Sequence, residues 1–454
     1  MLTQNASTSE RHGTAPARLK RPRIADLLTN RWLQAGIWLA AIASWGLQIK
    51  PALDRPPGGD LDVIRNAVVA FLHNQPVYLQ GHNPAMVFLY PPSALLLLTP
   101  LGLISQATAR ATVAVLQIVA ICVGGWLSLE VAGRRARFAL PLVVLGLSLY
   151  APARISVLIG NVDGFVLAGE AAFLLAAARG RWLLAALAIG ITLAVKPALV
   201  PLLILFLLRR RLVELVVAVS VPAALCVLAL AVMRDPLTFM TQVAPFILQG
   251  QATTLQPYSM SLYYAATALG LSPPVALALR ALALVIAGVV LVICWRRPVP
   301  EGVRLAEAAG ILMLTTLLTF SYSWNHYGLF LVPMLVLVGA PMTVVRGVGA
   351  VAALYLIGSP VEPVTAVLWP TLCQHKMTLG YLVLLGTIAV VAVRSRSAPP
   401  GEPVLEPSAP RSRPQLAESP RWMGLLRIPR TGPAAEPPGP PGPASGPEDD
   451  RSRG

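Results

Sequence analysis

Ionisable side chains inside or beside apolar segments are the residues of this chain most suited to chemistry, because a charge there is costly without a partner. Asp60 follows two glycines and opens a stretch whose apolar residues recur at helical spacing from Leu61 onward. A carboxylate in this position can act as a general base that takes a proton from a hydroxyl. It can also be an N-cap that accepts backbone N–H groups at a helix start. The sequence leaves both roles open.

The same predicted helix carries two further charges. Asp62 stands two residues after Asp60 and would point elsewhere, so it is either part of a solvated face or a substrate contact. Arg65 is a cation that could stabilise an anionic group. The spacing of polar and apolar residues predicts a short amphipathic helix lying on the membrane surface.

Lys196 lies in the middle of an apolar segment, directly before Pro197, where the backbone must open. Its ammonium could bind an anionic group such as a phosphate. It could instead pair with Asp163 or Glu170, which also lie within or beside apolar segments. Asp163 belongs to a polar break between segments, which could simply be a turn.

His326 follows another apolar segment and is flanked by aromatic residues. An imidazole there could donate to a phosphate oxygen or serve as an acid. Aromatic residues with a histidine are also common at the edge of a membrane, so the position alone does not decide its role.

Motifs for nucleotide or metal chemistry do not occur in the chain: there is no Walker loop, H-E-x-x-H, nucleophile elbow or dinucleotide fingerprint. The four cysteines lack metal-ligand spacing and do not resemble a disulfide framework. We therefore expect no cofactor and no metal, and the energy for any reaction must come with the substrate.

The elements that must position these residues are membrane spans. Apolar residues make up 56% of the 454 residues and charged residues 12%, about half the share usual in soluble domains. Uncharged stretches of about 20 residues cross a bilayer as helices, and none shows the alternation of a barrel strand. The net charge of +16 gathers in the tails and in arginine clusters, which indicates orientation in a membrane rather than nucleic-acid binding. The sequence thus predicts an all-α, multi-pass integral membrane protein.

The domain organisation follows from the same pattern. Residues 31–394 form the predicted membrane domain, with about 11–13 transmembrane helices. The tails 1–30 and 395–454 are polar, the second is rich in proline, and both are predicted to be disordered and cytoplasmic.

One region of the predicted topology conflicts with the positive-inside rule. The segments include a span at 93–108 and a long one at 182–208, which Lys196-Pro197 interrupts. With twelve spans, the arginine run 209–211 faces the cytoplasm, as the rule requires. Other arginines then face outward, namely Arg134, Arg135, Arg137 and Arg181. A re-entrant or half-length helix within 93–208 would explain the conflict.

Three stretches outside the spans, residues 50–92, 234–273 and 321–327, are predicted to open on the extracytoplasmic face of the cell membrane. Asp60 and His326 fall within them. A cleft at that face, covered by loops and juxtamembrane helices, suits a substrate that arrives dissolved in the membrane.

Four segments, taken in their order along the chain, resemble a known family over about residues 32–394. They are Asp60-Leu61-Asp62-Val63-Ile64-Arg65; Phe88-Leu89-Tyr90-Pro91-Pro92; residues 186–197 with the arginines that follow at 209–211; and Asp235-Pro236-Leu237-Thr238-Phe239-Met240 running through 245–248. The chain resembles the integral-membrane glycosyltransferases of the GT-C class, specifically glycosyltransferase family 87. That family uses polyprenyl-phosphate sugars and includes actinobacterial mannosyltransferases and arabinofuranosyltransferases. The last two segments are more similar to the arabinofuranosyltransferases.

The resemblance implies roles for individual residues. Asp60 matches the acidic residue of the first extracytoplasmic loop that serves as catalytic base. Relatives carry two adjacent carboxylates there, whereas here Gly59 precedes Asp60 and Asp62 is the nearest second acid. Five further residues are implied to contact the substrate: His326, Lys196, Arg65, Tyr90 and Asp62. His326, Lys196 and Arg65, in that order, are the candidates for stabilising the leaving phosphate.

The function implied is an inverting transfer of arabinofuranose from decaprenyl-phosphoryl arabinofuranose to cell-wall arabinan, with an α-1,3 branch as product. The partners are then a polyprenyl-phosphate sugar, a polysaccharide or glycolipid acceptor and membrane lipid. One alternative is a polyprenyl-phosphate-mannose-dependent mannosyltransferase of the same family. Another is a lipid or sugar transporter or flippase, which would predict an internal repeat of spans, and the sequence shows none.

Overall fold

The computed structural model describes residues 30–56, 59–78, 88–133, 136–248, 259–321, 323–338, 340, 342–359 and 375–397. Within these ranges the chain is helical, and its only β-pairing is an isolated bridge between Ser259 and Trp324. The all-α prediction is therefore confirmed. The α-helices are α1 (Arg31–Asp54), α2 (Asp60–Leu72), α3 (Pro92–Leu98), α4 (Gln106–Val131), α5 (Ala136–Leu149), α6 (Ala151–Ile159), α7 (Asp163–Ala178), α8 (Trp182–Val195), α9 (Ile204–Leu208), α10 (Leu212–Val232), α11 (Ala244–Leu248), α12 (Leu262–Ala268), α13 (Pro273–Trp295), α14 (Glu301–Thr319), α15 (Val332–Leu335), α16 (Val348–Gly358) and α17 (Lys376–Ser397).

Among the described residues, five helices are long and apolar enough to cross a membrane: α4, α10, α13, α14 and α17. A sixth crossing is possible if α5 and α6, which meet at 63°, together form one bent span. Several apolar segments are broken into short helices such as α8 and α16, which that count leaves out, so the predicted 11–13 crossings remain a prediction. The class of integral membrane protein is confirmed, whereas hydropathy alone did not reveal the breaks.

Both predicted tails lie outside the described residues, apart from their innermost ends. Asn30 caps α1, since its Oδ1 accepts a hydrogen bond of 2.9 Å from the backbone N–H of Trp32. Residues 395–397 continue α17. The disorder and the cytoplasmic location of the tails remain predictions.

The predicted span 182–208 is wrong as a single crossing. At Lys196 the backbone becomes extended, as expected for a residue that precedes proline. A 3-10 helix (Pro197–Leu203) and α9 then run back beside α8, so that the rings of Phe206 and Trp182 lie 5.7 Å apart. The segment is a helical hairpin with Lys196 at its tip.

The predicted span 93–108 also does not form one helix. α3 is followed by a 3-10 turn (Thr99–Gly102), and Gly102 packs against Val68 and Leu72 of α2. At the other end of α3, Ser93 donates a hydrogen bond of 2.6 Å to the backbone carbonyl of Ala194, close to the tip of the 182–208 hairpin. α3 is therefore a half-length helix of the kind that would explain the arginine conflict.

The ends of several helices lie together in one region that is rich in arginine, which we call the basic end. Arg211 lies 5.9 Å from the Trp182 ring, and Arg179 pairs with Glu130 at 3.7 Å. Arg209 forms an ion pair with Glu301. Arg181, which the twelve-span scheme turned outward, thus lies next to the 209–211 run.

The opposite end, which we call the site end, holds the start of α2, the start of α4 and the tip of the 182–208 hairpin. The predicted amphipathic helix is confirmed as α2, whose apolar face buries Leu61, Ile64 and Val68. The stretches 50–92 and 234–273 meet there, because the rings of Tyr78 and Phe239 lie 5.4 Å apart.

Close packing at the basic end gives a stability prediction. A Cβ on Gly302 of α14 would lie 1.9 Å from the backbone oxygen of Val131, so the helices α4 and α14 must separate to admit one. Overpacking of this kind costs about 1–3 kcal/mol. We expect Gly302→Ala to lower the thermal unfolding midpoint of the detergent-solubilised protein by roughly a few degrees.

The matched control is Gly288→Ala in α13, where nothing lies within 4 Å of the added Cβ. That variant should keep or raise the midpoint, because alanine favours a helix over glycine by about 1 kcal/mol. Equal midpoints for the two variants would show that the contact between α4 and α14 is not tight.

Candidate functional site

Six polar or ionisable side chains from six different segments meet at the site end and form what we call the polar cluster. They come from the start of α2, the segment before α3, the turn between α6 and α7, the start of α7, the end of α8 and a 3-10 helix after α14. The cluster consists of Asp60, Tyr90, Asn161, Asp163, Lys196 and His326.

Asp60 is the first residue of α2 and is half-buried. Its Oδ2 accepts a hydrogen bond from Nδ2 of Asn161. Burial raises the pKa of the Asp60 carboxyl above its usual range, while Lys196, Asn161 and Arg55 act in the opposite direction. A carboxylate with a raised pKa is a better proton acceptor than an ordinary one.

Asp62, rather than Asp60, performs the capping role. Its Oδ2 accepts a hydrogen bond of 3.3 Å from the backbone N–H of Gly59, the N-cap residue of α2. Arg110 of α4 donates to both of its oxygens, at 3.1 and 3.2 Å, and Gln106 donates at 2.8 Å. These bonds fasten the start of α2 to α4 and occupy Asp62, which does not join the polar cluster.

Arg65 also lies apart from the polar cluster. Its Nη2 donates a hydrogen bond of 2.8 Å to the backbone carbonyl of Ile104, just before α4. Arg65 therefore ties α2 to the chain ahead of α4 and does not face Asp60.

Lys196 is 5% exposed and forms an ion pair with Asp163, which is fully buried. Of the two carboxylates considered from the sequence, Asp163 is therefore the partner, and Glu170 is not. The ammonium also lies 3.4 Å from Oδ1 of Asn161 and 4.1 Å from the centre of the Tyr327 ring. The cation is thus held by the Asp163 carboxylate, the Asn161 amide oxygen and the face of the Tyr327 ring.

His326 is buried beside this ion pair, with its Nε2 3.3 Å from Nδ2 of Asn161 and 3.4 Å from Oδ2 of Asp163. Its ring stacks on Trp324, with the centroids 6.2 Å apart. Burial holds the pKa of His326 well below its usual range, and the neighbouring Lys196 ammonium lowers it further. The imidazole is therefore neutral at physiological pH.

Tyr90 closes the cluster on the side of α3. Its hydroxyl donates a hydrogen bond of 3.4 Å to Oδ1 of Asn161, and its ring centre lies 5.9 Å from Nζ of Lys196. The backbone carbonyl of Tyr90 accepts a hydrogen bond of 3.1 Å from the hydroxyl of Tyr78, which joins Tyr90 to the residues just after α2.

The stretch 321–327 is joined to the stretch 234–273 by two hydrogen bonds. The N–H of Met260 donates to the carbonyl of Ser323 at 2.6 Å, and Ser259 Oγ donates to the carbonyl of Ser321 at 2.8 Å. All three stretches that the sequence placed at one face therefore meet at the site end.

Asn161 is the cluster residue that we did not single out from the sequence. It lies in the same polar break as Asp163, and no motif marks it. The available signal was its position beside Asp163 between two apolar segments, since a buried polar group needs partners.

The arrangement combines a half-buried carboxylate with a buried cation and a neutral imidazole at one end of an apolar bundle. Such a set can take a proton from a hydroxyl and stabilise a departing anion. The chain is thus an all-α integral membrane protein with its candidate active site at the ends of the helices.

Comparison with known proteins gives the family. The model of glycosyltransferase family 87 matches residues 88–321, just over half of the chain, and the chain belongs to that family. An α-(1→3)-arabinofuranosyltransferase of Mycolicibacterium smegmatis is 29% identical over 394 residues, which are 82% of this chain and 88% of the relative. The α-(1→3)-arabinofuranosyltransferase of Mycobacterium tuberculosis is 29% identical over 334 residues, 72% of this chain and 76% of the relative. No solved structure matches the chain.

Proposed function

We propose that this membrane glycosyltransferase is an inverting enzyme that transfers arabinofuranose from decaprenyl-phosphoryl arabinofuranose to cell-wall arabinan. The observation that carries the proposal is the polar cluster, with one half-buried carboxylate at the start of the amphipathic helix α2 and a buried cation and imidazole beside it. The choice of sugar rests on the names of the two relatives. Their α-(1→3) linkage suggests an α-1,3 branch as the product.

Asp60 acts as the general base in this scheme. Its carboxylate takes the proton from an acceptor hydroxyl, and that oxygen forms the new bond to the anomeric carbon. The bond from the anomeric carbon to the phosphate oxygen breaks on the opposite face, and its electron pair leaves with the phosphate. One carboxylate suffices for such a displacement, whereas retention requires a nucleophile as well.

The leaving phosphate needs a stabilising group, and the geometry favours His326 and Lys196 over Arg65. His326 and Lys196 both lie in the polar cluster with Asn161, whereas Arg65 is bound to Ile104. The neutral imidazole donates a hydrogen bond to a phosphate oxygen, and Lys196 supplies positive charge next to it. Tyr90 lines the same site, and Asp62 holds the start of α2.

The distribution of charge supports an extracytoplasmic orientation of the site. The basic end gathers arginines from several helices, and such clusters face the cytoplasm in multi-pass proteins. The polar cluster at the opposite end would then face the extracytoplasmic side, where a lipid-linked donor can enter from the outer leaflet.

The test is an in vitro transfer assay with the purified protein, an arabinan acceptor and each of two labelled donors. We expect arabinose to be transferred from its prenyl phosphate, with a product linkage that methylation analysis assigns as α-1,3. Transfer from prenyl-phosphate mannose alone would assign the mannosyl alternative and overturn the choice of sugar. Passage of donor across liposomes without a glycosidic product would overturn the enzyme assignment itself.

A further inference from the structure

The turn between α6 and α7 brings one amide into the centre of the polar cluster. Gly160 ends α6 in the left-handed conformation, with φ at 68°, which favours glycine. A Cβ at this position would lie 2.7 Å from Cβ of Leu61, so the turn packs directly on the start of α2. This close approach sets Asn161 opposite Asp60, with the Asn161 side chain 1% exposed.

The two ends of the Asn161 amide have different partners. Its Nδ2 donates to Oδ2 of Asp60 and lies 3.3 Å from Nε2 of His326. Its Oδ1 accepts from the backbone N–H of Val162 at 2.6 Å and from Nζ of Lys196 at 3.4 Å. The donor end therefore faces the carboxylate and the acceptor end faces the cation, so the amide cannot flip without losing hydrogen bonds.

We propose that Asn161 is a positioning residue that holds one oxygen of Asp60, so that the other oxygen is presented to the acceptor hydroxyl. This inference rests on the proposed function, because it assigns Asp60 as the base. Asn161 acts through Asp60 and through Lys196, and it takes no part in the bond changes itself.

The hydrogen bond has a chemical consequence as well as a geometric one. Because the Asn161 amide stabilises the ionised carboxylate, it offsets part of the increase in the pKa of Asp60 that burial causes. Without the amide, the pKa of Asp60 rises further. Less of the protein then carries the active carboxylate at low pH, and activity is lost at a higher pH as the solution is acidified.

The experiment is the pH profile of kcat/KM for two variants. Asn161→Ala removes the amide, and Asn161→Asp keeps the shape and an oxygen towards Lys196 but removes the donor to Asp60. We expect both to lower kcat/KM about ten- to a hundred-fold at neutral pH, in line with a lost hydrogen bond to a charged group. We also expect the acid limb of both profiles to move to higher pH, and the KM for the donor to change less than kcat.

The matched control is Gln117→Ala, which removes another fully buried amide at the site end. Its Nε2 donates to Ser156 Oγ at 2.6 Å, and Asp60 is not among its hydrogen-bond partners. Because the Gln117 amide supports the fold and does not contact Asp60, its removal should lower kcat/KM by the same factor at every pH. Acid limbs at the wild-type pH in both Asn161 variants would overturn the positioning role. Full activity of Asp60→Asn would overturn the proposed function instead, so the two failures are distinguishable.

Discussion

Asp60→Asn is expected to lower kcat/KM by about two to four orders of magnitude, because a positioned general base contributes about this much to a proton-transfer step. The substitution keeps the size of the side chain and its contact with Asn161, so folding and donor binding should change little. The measurement is single-turnover transfer from labelled donor, with donor binding measured separately on the same preparation.

The control for this variant is Asp54→Asn. Asp54 stands six residues earlier at the end of α1, is largely exposed and pairs only with Lys50 among the described residues. Exposed ion pairs contribute little, so this variant should transfer at the wild-type rate. A rate for Asp60→Asn close to that of Asp54→Asn would remove Asp60 from the reaction.

Lys196→Met is expected to destabilise the protein by about 3–5 kcal/mol, the range for removing one partner of a buried ion pair. Asp163 is fully buried, and the described residues offer no other ammonium or guanidinium as a salt-bridge partner for it. The variant should therefore unfold at a lower temperature in detergent and should lose transfer activity. Thermal unfolding followed by circular dichroism or by aggregation measures the first effect.

Adding Asp163→Asn to Lys196→Met should restore much of the stability, since the unpaired buried charge is gone. It should not restore transfer, because the cation next to the leaving phosphate is still missing. Lys50→Met, which breaks a surface ion pair, is the matched single variant and should leave the midpoint unchanged. A double variant as unstable as Lys196→Met would show that the ion pair is not what Lys196 contributes to the fold.

Much of the architecture could be predicted from the sequence, because hydropathy and charge act over many residues. The membrane class, the amphipathic helix α2 and the meeting of the three stretches at one end follow from these patterns. The positive-inside rule also indicated where the twelve-span scheme fails. Arg181 faces outward in that scheme, and this conflict pointed to a re-entrant or half-length helix before residue 208.

The breaks inside apolar segments could not be predicted from hydropathy. Residues 182–208 look like one long span because hydropathy depends on composition and is the same whether the chain runs straight on or turns back. In the structure the chain reverses at Lys196-Pro197. The proline did give a local signal, because the preceding residue is pushed out of the helical conformation. Whether such a break kinks a span or folds it back depends on packing, here of Trp182 against Phe206.

The roles within the site were only partly predictable. The spacing of Asp60 and Asp62 left the capping role open, and the choice depends on Arg110 and Gln106, which lie more than forty residues away in the chain. Asn161 carried no motif, because its importance comes from four partners that only the fold brings together, namely Asp60, Tyr90, Lys196 and His326.

The most direct test of a one-carboxylate displacement at Asp60 is the anomeric configuration of the transferred sugar, read by NMR from product made with a donor of known configuration. Inversion is the predicted result, because of the two carboxylates in the polar cluster only Asp60 has no ion pair among the described residues, whereas Asp163 is held by Lys196. Retention of configuration would require a second carboxylate as nucleophile, and it would contradict the proposed mechanism.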